Sequence, residues 1–137
     1  IMKKELEKIP FVGKACKSAG HIFISRGQNK AALQSIEDAK KKLTKGLSVV
    51  IFPEGSRTYN GEVGKFKRGA FQLATDLQLP IIPISIKGAF QVMPRTTFNI
   101  TPHLITLTIH PAIDTNTYIN QQQELINKVR EVIIKDT

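Results

Sequence analysis

Runs rich in β-branched and aromatic residues occur at 22–25, 47–52, 81–86 and 104–109, each bounded by Gly, Pro or Asn, and the spacing predicts four strands. Between the first two, Leu33, Ile36, Ala39 and Leu43 recur at three- and four-residue steps, which predicts a helix. Asn29 can cap its start. Lys40, Lys41, Lys42 and Lys45 fall in its last turns, where cations suit the negative end of the helix dipole, and Gly46 ends it. A second helix is predicted from about Gly69 to Leu77, ahead of Pro80. A third near the C-terminus carries Leu125, Ile126, Val129, Val132 and Ile133 on one face. Strand, helix, strand, helix, strand through residue 86 is the order of consecutive right-handed crossovers. The expected fold is therefore α/β, a single domain whose mainly parallel sheet is flanked by helices, with Phe66 and Phe71 in the core.

A length of 137 residues fits that one domain. With 41% hydrophobic and 23% charged residues, the composition excludes disorder and collagen. The longest apolar stretches, 47–53 and 79–86, fall far short of the ~20 residues that span a bilayer. The single cysteine, Cys16, allows neither an intrachain disulfide nor a multi-cysteine zinc site; it favours a reducing compartment and is expected to be a small buried group.

The net charge of +9 is unevenly placed. Residues 1–70 hold 15 Lys and Arg against 6 Asp and Glu, while residues 71–137 hold 5 against 5. Such a field attracts anions, whether nucleic acid, acidic lipid or a phosphorylated small molecule, and a lysine-rich solvated surface is the plain structural alternative. Nucleic acid is not an expected partner: there are 2 Tyr and no Trp, and most Phe lie in strand or core contexts instead of alternating with cations.

Ligands of parallel sheets gather beyond the carboxyl ends of the strands. Ser25-Arg26-Gly27, Pro53-Glu54-Gly55-Ser56-Arg57 and Lys87-Gly88 follow the first three strands, so positive side chains are expected to converge there. The connection from Pro53 to Arg68 is the least core-like, with Gly55, Gly61 and Gly64 and then Lys65-Phe66-Lys67-Arg68 leading into a helix. Glycines admit close approach of a ligand and a helix N-terminus favours anions, so a phosphate pocket fits; a surface loop with solvated lysines is the alternative. The pattern is neither a P-loop nor a dinucleotide fingerprint.

Phe23-Ile24-Ser25-Arg26, Phe52-Pro53-Glu54-Gly55-Ser56-Arg57, Phe66-Lys67-Arg68-Gly69-Ala70-Phe71 and Ile82-Pro83-Ile84 together resemble the ordered blocks of the glycerolipid acyltransferases, above all the bacterial 1-acylglycerol-3-phosphate (lysophosphatidate) branch. The resemblance runs from about Lys3 to Pro111 and includes Ile9-Pro10-Phe11-Val12-Gly13 ahead of the second block. It implies a glycerol-3-phosphate acyltransferase-like fold. The implied reaction attacks an acyl thioester, on coenzyme A or acyl carrier protein, with a hydroxyl of a lysophospholipid acceptor, giving phosphatidate in phospholipid biosynthesis. Carried onto this chain, it makes Arg26 a phosphate-binding residue, Glu54, Gly55, Ser56 and Arg57 acceptor-binding positions, Lys67 the basic residue before the helix, and Pro83 a residue of the donor side or the site's shape. Guanidinium forks plus a lysine point charge suit a dianionic phosphomonoester on independent grounds. Glu54 is expected to orient these cations by charge-assisted hydrogen bonds. The resemblance calls for no cofactor and no metal.

The family's general base is a histidine in a His-x-x-x-x-Asp motif. Five residues beyond His21, His103 and His110, the only histidines, stand Arg26, Thr108 and Thr115, so the chain contains no such motif and no catalytic residue is assigned. His110 with Asp114 reads as structural, and His21 as a capping or surface residue. Ser25 stands where the family often has Asp. The chain starts at Ile1 and is expected to be the C-terminal part of an acyltransferase domain, without its N-terminal catalytic segment and inactive alone. It is expected to work at the cytoplasmic face of the cell membrane, its basic half toward anionic headgroups. The alternatives are a noncatalytic phosphate or acidic-lipid binding module, or an acyltransferase for glycerol 3-phosphate or another lysolipid.

Overall fold

The computed structural model describes residues 2–21, 23–24, 41, 48–97 and 99–137, in two compact units, 1–51 and 52–137. In the first unit, β1 (Met2–Lys3) pairs in parallel with β2 (Phe23–Ile24), Met2 opposite Phe23 and Lys3 opposite Ile24. Parallel strands cannot be joined by a tight turn. The crossover is a 3-10 turn, Lys4–Lys8, followed by α1 (Val12–Ser18). The two pack so closely that a Cβ on Gly13 would sit 2.1 Å from the Glu7 carbonyl oxygen, a contact only glycine avoids. An ion pair between Lys17 and Glu7 (2.5 Å) spans the same junction. Beyond α1, the exposed His21 donates its backbone N–H to Cys16 O (2.9 Å). Cys16 is half-buried, not buried as expected, because a seven-residue helix in so small a unit buries only its glycine. The predicted helix over 29–45 lies, apart from Lys41, outside the described residues.

Residues 48–52 carry no regular structure, so the predicted strand at 47–52 is not formed over them. A β-rich run becomes a strand only where a ladder continues along it. In the second unit, α2 (Arg68–Asp76) follows the predicted helix closely. It ends with Gln78 in the left-handed region (φ 52°), the Leu79 N–H bonding Ala74 O (2.9 Å) and the Gln78 N–H bonding Thr75 O (3.1 Å). This is the Schellman closure, with Pro80 just beyond it.

Next, β3 (Ile84–Lys87) pairs antiparallel with β4 (Thr106–Ile109), Ile84 opposite Ile109 and Ile86 opposite Leu107; the short α3 (Ala89–Val92) lies in the connection. The third strand begins later than predicted because Pro83 has no N–H to give to a ladder. Ile81 instead forms an isolated bridge with Ile113. Among the described residues the ladders are thus two-stranded, one parallel and one antiparallel, and three parallel strands in one sheet are not seen.

The core of this unit forms where α2 meets α4 (Gln122–Lys135): Phe71, Leu125, Ile126 and Val129 are buried, and Phe66, Ile81, Ile113, Tyr118 and Ile133 pack around them. The Phe66 and Phe71 rings stack at 6.2 Å. Across the ladder, Ser85 turns toward α4 and donates its hydroxyl to Ile133 O (3.0 Å), whereas Leu107 and Ile109 on the other face are largely exposed. No helix among the described residues is long and apolar enough to cross a membrane.

Candidate functional site

Proline fixes φ for the second position of a turn, and a left-handed residue closes it. Phe52-Pro53-Glu54-Gly55 does this: the Gly55 N–H bonds Phe52 O (3.0 Å) with Gly55 at φ 72°. Here glycine is favoured by conformation, and a Cβ would meet Lys67 Nζ at 2.9 Å, because the lysine stem crosses the turn. The Lys67 N–H bonds Pro53 O (2.8 Å), so the far end of the loop is tied to its start.

The half-buried Glu54 accepts the Gly64 N–H on Oε2 (2.8 Å). From α4, Arg130 donates Nε to Gly64 O (3.1 Å) and Nη2 to Val63 O (2.8 Å). Asn60 donates to Glu62 Oε2 (2.8 Å) and accepts from the Thr58 hydroxyl (2.8 Å). The 53–68 connection is therefore a braced loop. Among the described residues Glu54 makes no ion pair with Arg57 or Lys67, and its Oε2 is taken by backbone; Arg26, the third cation expected beside it, lies outside the described residues. Replacing Glu54 by alanine leaves the Gly64 N–H without its acceptor. It should cost about 1–2 kcal/mol and speed exchange of the Gly64 amide about tenfold, read by hydrogen–deuterium exchange, while glutamine, which keeps an acceptor oxygen, should restore most of the protection.

The loop walls an open cavity of about 480 Å³, lined by Glu54, Ser56, Arg57, Thr58, Tyr59, Asn60, Gly64, Lys65 and Arg95. That volume lies within the range of small-ligand sites. Three cations face one carboxylate on this lining, so the cavity favours an anion.

Of the residues singled out in the sequence, Glu54, Ser56 and Arg57 line the cavity, Gly55 makes the turn beneath them, and Lys67 crosses that turn. Pro83 is not brought to this cavity; it is buried beside β3, its carbonyl accepting the His110 N–H (3.0 Å). Arg26 lies outside the described residues. Lys87 lines a separate cavity of about 390 Å³ with Glu62 and Phe90. The amino end of α2, expected to face the anion, is not on the lining, which comes from the loop before it.

Sequence reasoning missed Arg95, Tyr59 and Arg130. Arg95 lies 38 residues beyond Arg57, yet it donates Nη1 to Arg57 O (3.2 Å) and rests 4.2 Å from the centre of the Tyr59 ring. No local motif announces either arginine. Their only signal is that Arg95 and Arg130 are two of the five cations in the otherwise neutral half.

His110 and Asp114 have separate partners. His110 Nε2 lies 2.7 Å from Ser85 Oγ and 3.7 Å from Asp136 Oδ2, while Asp114 instead accepts from Asn116. Because the Ser85 proton goes to Ile133 O, Nε2–H must be the donor to Ser85, which makes the pair a strut between ladder and helix and leaves that hydroxyl unactivated.

Similarity to known proteins covers most of the chain. A family model described as Acyltransferase matches residues 1–87. A 1-acyl-sn-glycerol-3-phosphate acyltransferase of Limnanthes douglasii is 32% identical over 138 residues, 99% of this chain and 49% of that protein. One from Pseudomonas aeruginosa is 39% identical over 114 residues, 82% of this chain and 44% of that protein. Among solved structures, the 1-acyl-sn-glycerophosphate (LPA) acyltransferase PlsC from Thermotoga maritima superposes with a TM-score of 0.83 at 30% identity, covering 98% of this chain and 53% of that one. The chain spans about half the length of the curated relatives it matches. A family match over more than half its length and a shared fold with PlsC agree with the Phe-Pro-Glu-Gly-Ser-Arg turn that builds the cavity: this chain belongs to the acyltransferase family.

Proposed function

We propose that this chain is the acceptor-binding part of an acyltransferase that moves a fatty acyl group from a thioester, on coenzyme A or acyl carrier protein, to the free hydroxyl of 1-acylglycerol-3-phosphate, giving phosphatidate. The observation that carries this reading is the cationic cavity over the braced loop, where Arg57 stands with Lys65 and Arg95 on one lining. The printed names of the relatives support the same acceptor.

In the reaction the acceptor oxygen attacks the thioester carbonyl carbon, its proton passes to a base, and the carbon–sulfur bond breaks to release a thiolate that takes up a proton. His110 is held by Ser85, and no histidine of this chain stands in the His-x-x-x-x-Asp spacing, so the base comes from outside residues 1–137. Arg57 grips the phosphate on the cavity wall, the family resemblance makes Arg26 and Lys67 further basic residues for it, Glu54, Gly55 and Ser56 form the floor beneath it, and Pro83 shapes the donor side. Holding the acceptor in register with the thioester supplies much of the acceleration. On this reading residues 1–137 form the C-terminal part of one acyltransferase domain with a mainly parallel sheet, acting at the cytoplasmic face of the membrane.

Transfer from acyl-coenzyme A to lysophosphatidate tests it. The complete enzyme should turn over, and the 137-residue chain should fall below it by at least about 10²–10⁴-fold, the usual worth of a general base. Comparable turnover by the chain alone overturns the placement of the base. A complete enzyme that binds phosphate without acylating lysophosphatidate marks a noncatalytic phosphate or acidic-lipid module.

A further inference from the structure

Arg95 reaches the cavity from a different part of the fold, the segment between α3 and β4, and two contacts hold it there: the Tyr59 ring under its guanidinium and the Arg57 carbonyl on Nη1. A guanidinium has about five N–H donors in a planar fork, so one bond to a neutral carbonyl leaves most of them, and the whole charge, available. No carboxylate of the described residues lies within ion-pair distance of it. The one acidic group on the lining, Glu54, is engaged by the Gly64 N–H. An arginine that served only to brace the loop would need no place on the cavity wall, and Arg130 braces it from outside the lining. Stacking on Tyr59 restricts the side chain before any ligand arrives, which lowers the ordering cost of binding. The terminal oxygens of a phosphomonoester accept more hydrogen bonds than one guanidinium supplies.

We propose that Arg95 is a further phosphate-binding arginine, gripping the acceptor's phosphomonoester together with Arg57 and held in place by Tyr59 as a positioning residue. This rests on the phosphate reading of the cavity given above.

The test is a nuclear magnetic resonance titration of the 137-residue chain with sn-glycerol 3-phosphate, with glycerol as the uncharged control. The Arg95 Nε–Hε resonance should shift saturably with the phosphate ester and stay still with glycerol. Arg95→Gln should weaken binding about tenfold, the loss of one charge-assisted contact, and Arg95→Lys about threefold, since the charge remains without the fork. Tyr59→Leu should weaken binding about threefold in the wild-type background and not at all on top of Arg95→Gln, a coupling that a general loosening of the loop would not produce. If Arg95→Gln binds like the wild type while Arg57→Gln loses affinity, the Arg95 proposal fails and the phosphate site stands. If the wild-type chain binds the ester no better than glycerol, the phosphate reading and this proposal fall together.

Discussion

Arg57→Gln lowers kcat/KM of the complete enzyme for lysophosphatidate by about a hundredfold, the ~3 kcal/mol at the upper end for hydrogen bonds to a charged group. Arg57 stands on the cavity wall in the loop braced by Glu54 and Arg130, so glutamine removes a positioned cation without disturbing the turn at Gly55. Steady-state kinetics with two acceptors checks the role. With lysophosphatidate, a KM increase at constant kcat identifies a grip felt equally in ground and transition states, and a fall in kcat shows that the grip also sets the hydroxyl's position. With an acylglycerol that has no phosphate, wild type and variant should be equally poor. An equal loss with both acceptors would remove Arg57 from the phosphate site.

Leu125→Ala should destabilise the protein by about 3 kcal/mol, within the usual range for a buried leucine and a large share of the ~5–15 kcal/mol that holds a domain together. Leu125 is fully buried where α2 meets α4, beside Phe71, Ile126 and Val129, and a void there cannot be filled from solvent. Urea denaturation gives the number, with the exposed Lys128→Ala as a control expected within about 0.5 kcal/mol of wild type. The helix α4 has two roles. Its inner face carries the core, while Arg130 on the same helix carries the loop. A loss of core packing should therefore also weaken phosphate binding.

Much of the second unit was legible. The apolar spacing of Leu125, Ile126, Val129 and Ile133 locates α4 and its buried face, and the run from Gly69 to Leu77 locates α2 within a residue or so, because helical periodicity is a local property. Strands were less legible. The run at 47–52 has the composition of a strand but no regular structure over 48–52, and β3 starts only after Pro83, since pairing depends on a distant partner. Ser85 turns toward α4 while Leu107 and Ile109 stay exposed, a choice of face that alternation alone cannot make.

The amino-acid order alone specified the chemistry of the Phe52–Arg57 block, the excess cations of the N-terminal half, the absence of a His-x-x-x-x-Asp pair and the two helices of the core, all of which depend on residues near one another in the chain. Only tertiary structure decided that Glu54 accepts the Gly64 N–H, that Pro83 lies apart from the cavity, and that Arg95 and Arg130 converge on a loop many residues upstream. Contacts between segments so far apart in the chain are set by how helices and strands pack, and short-range spacing carries no record of that packing.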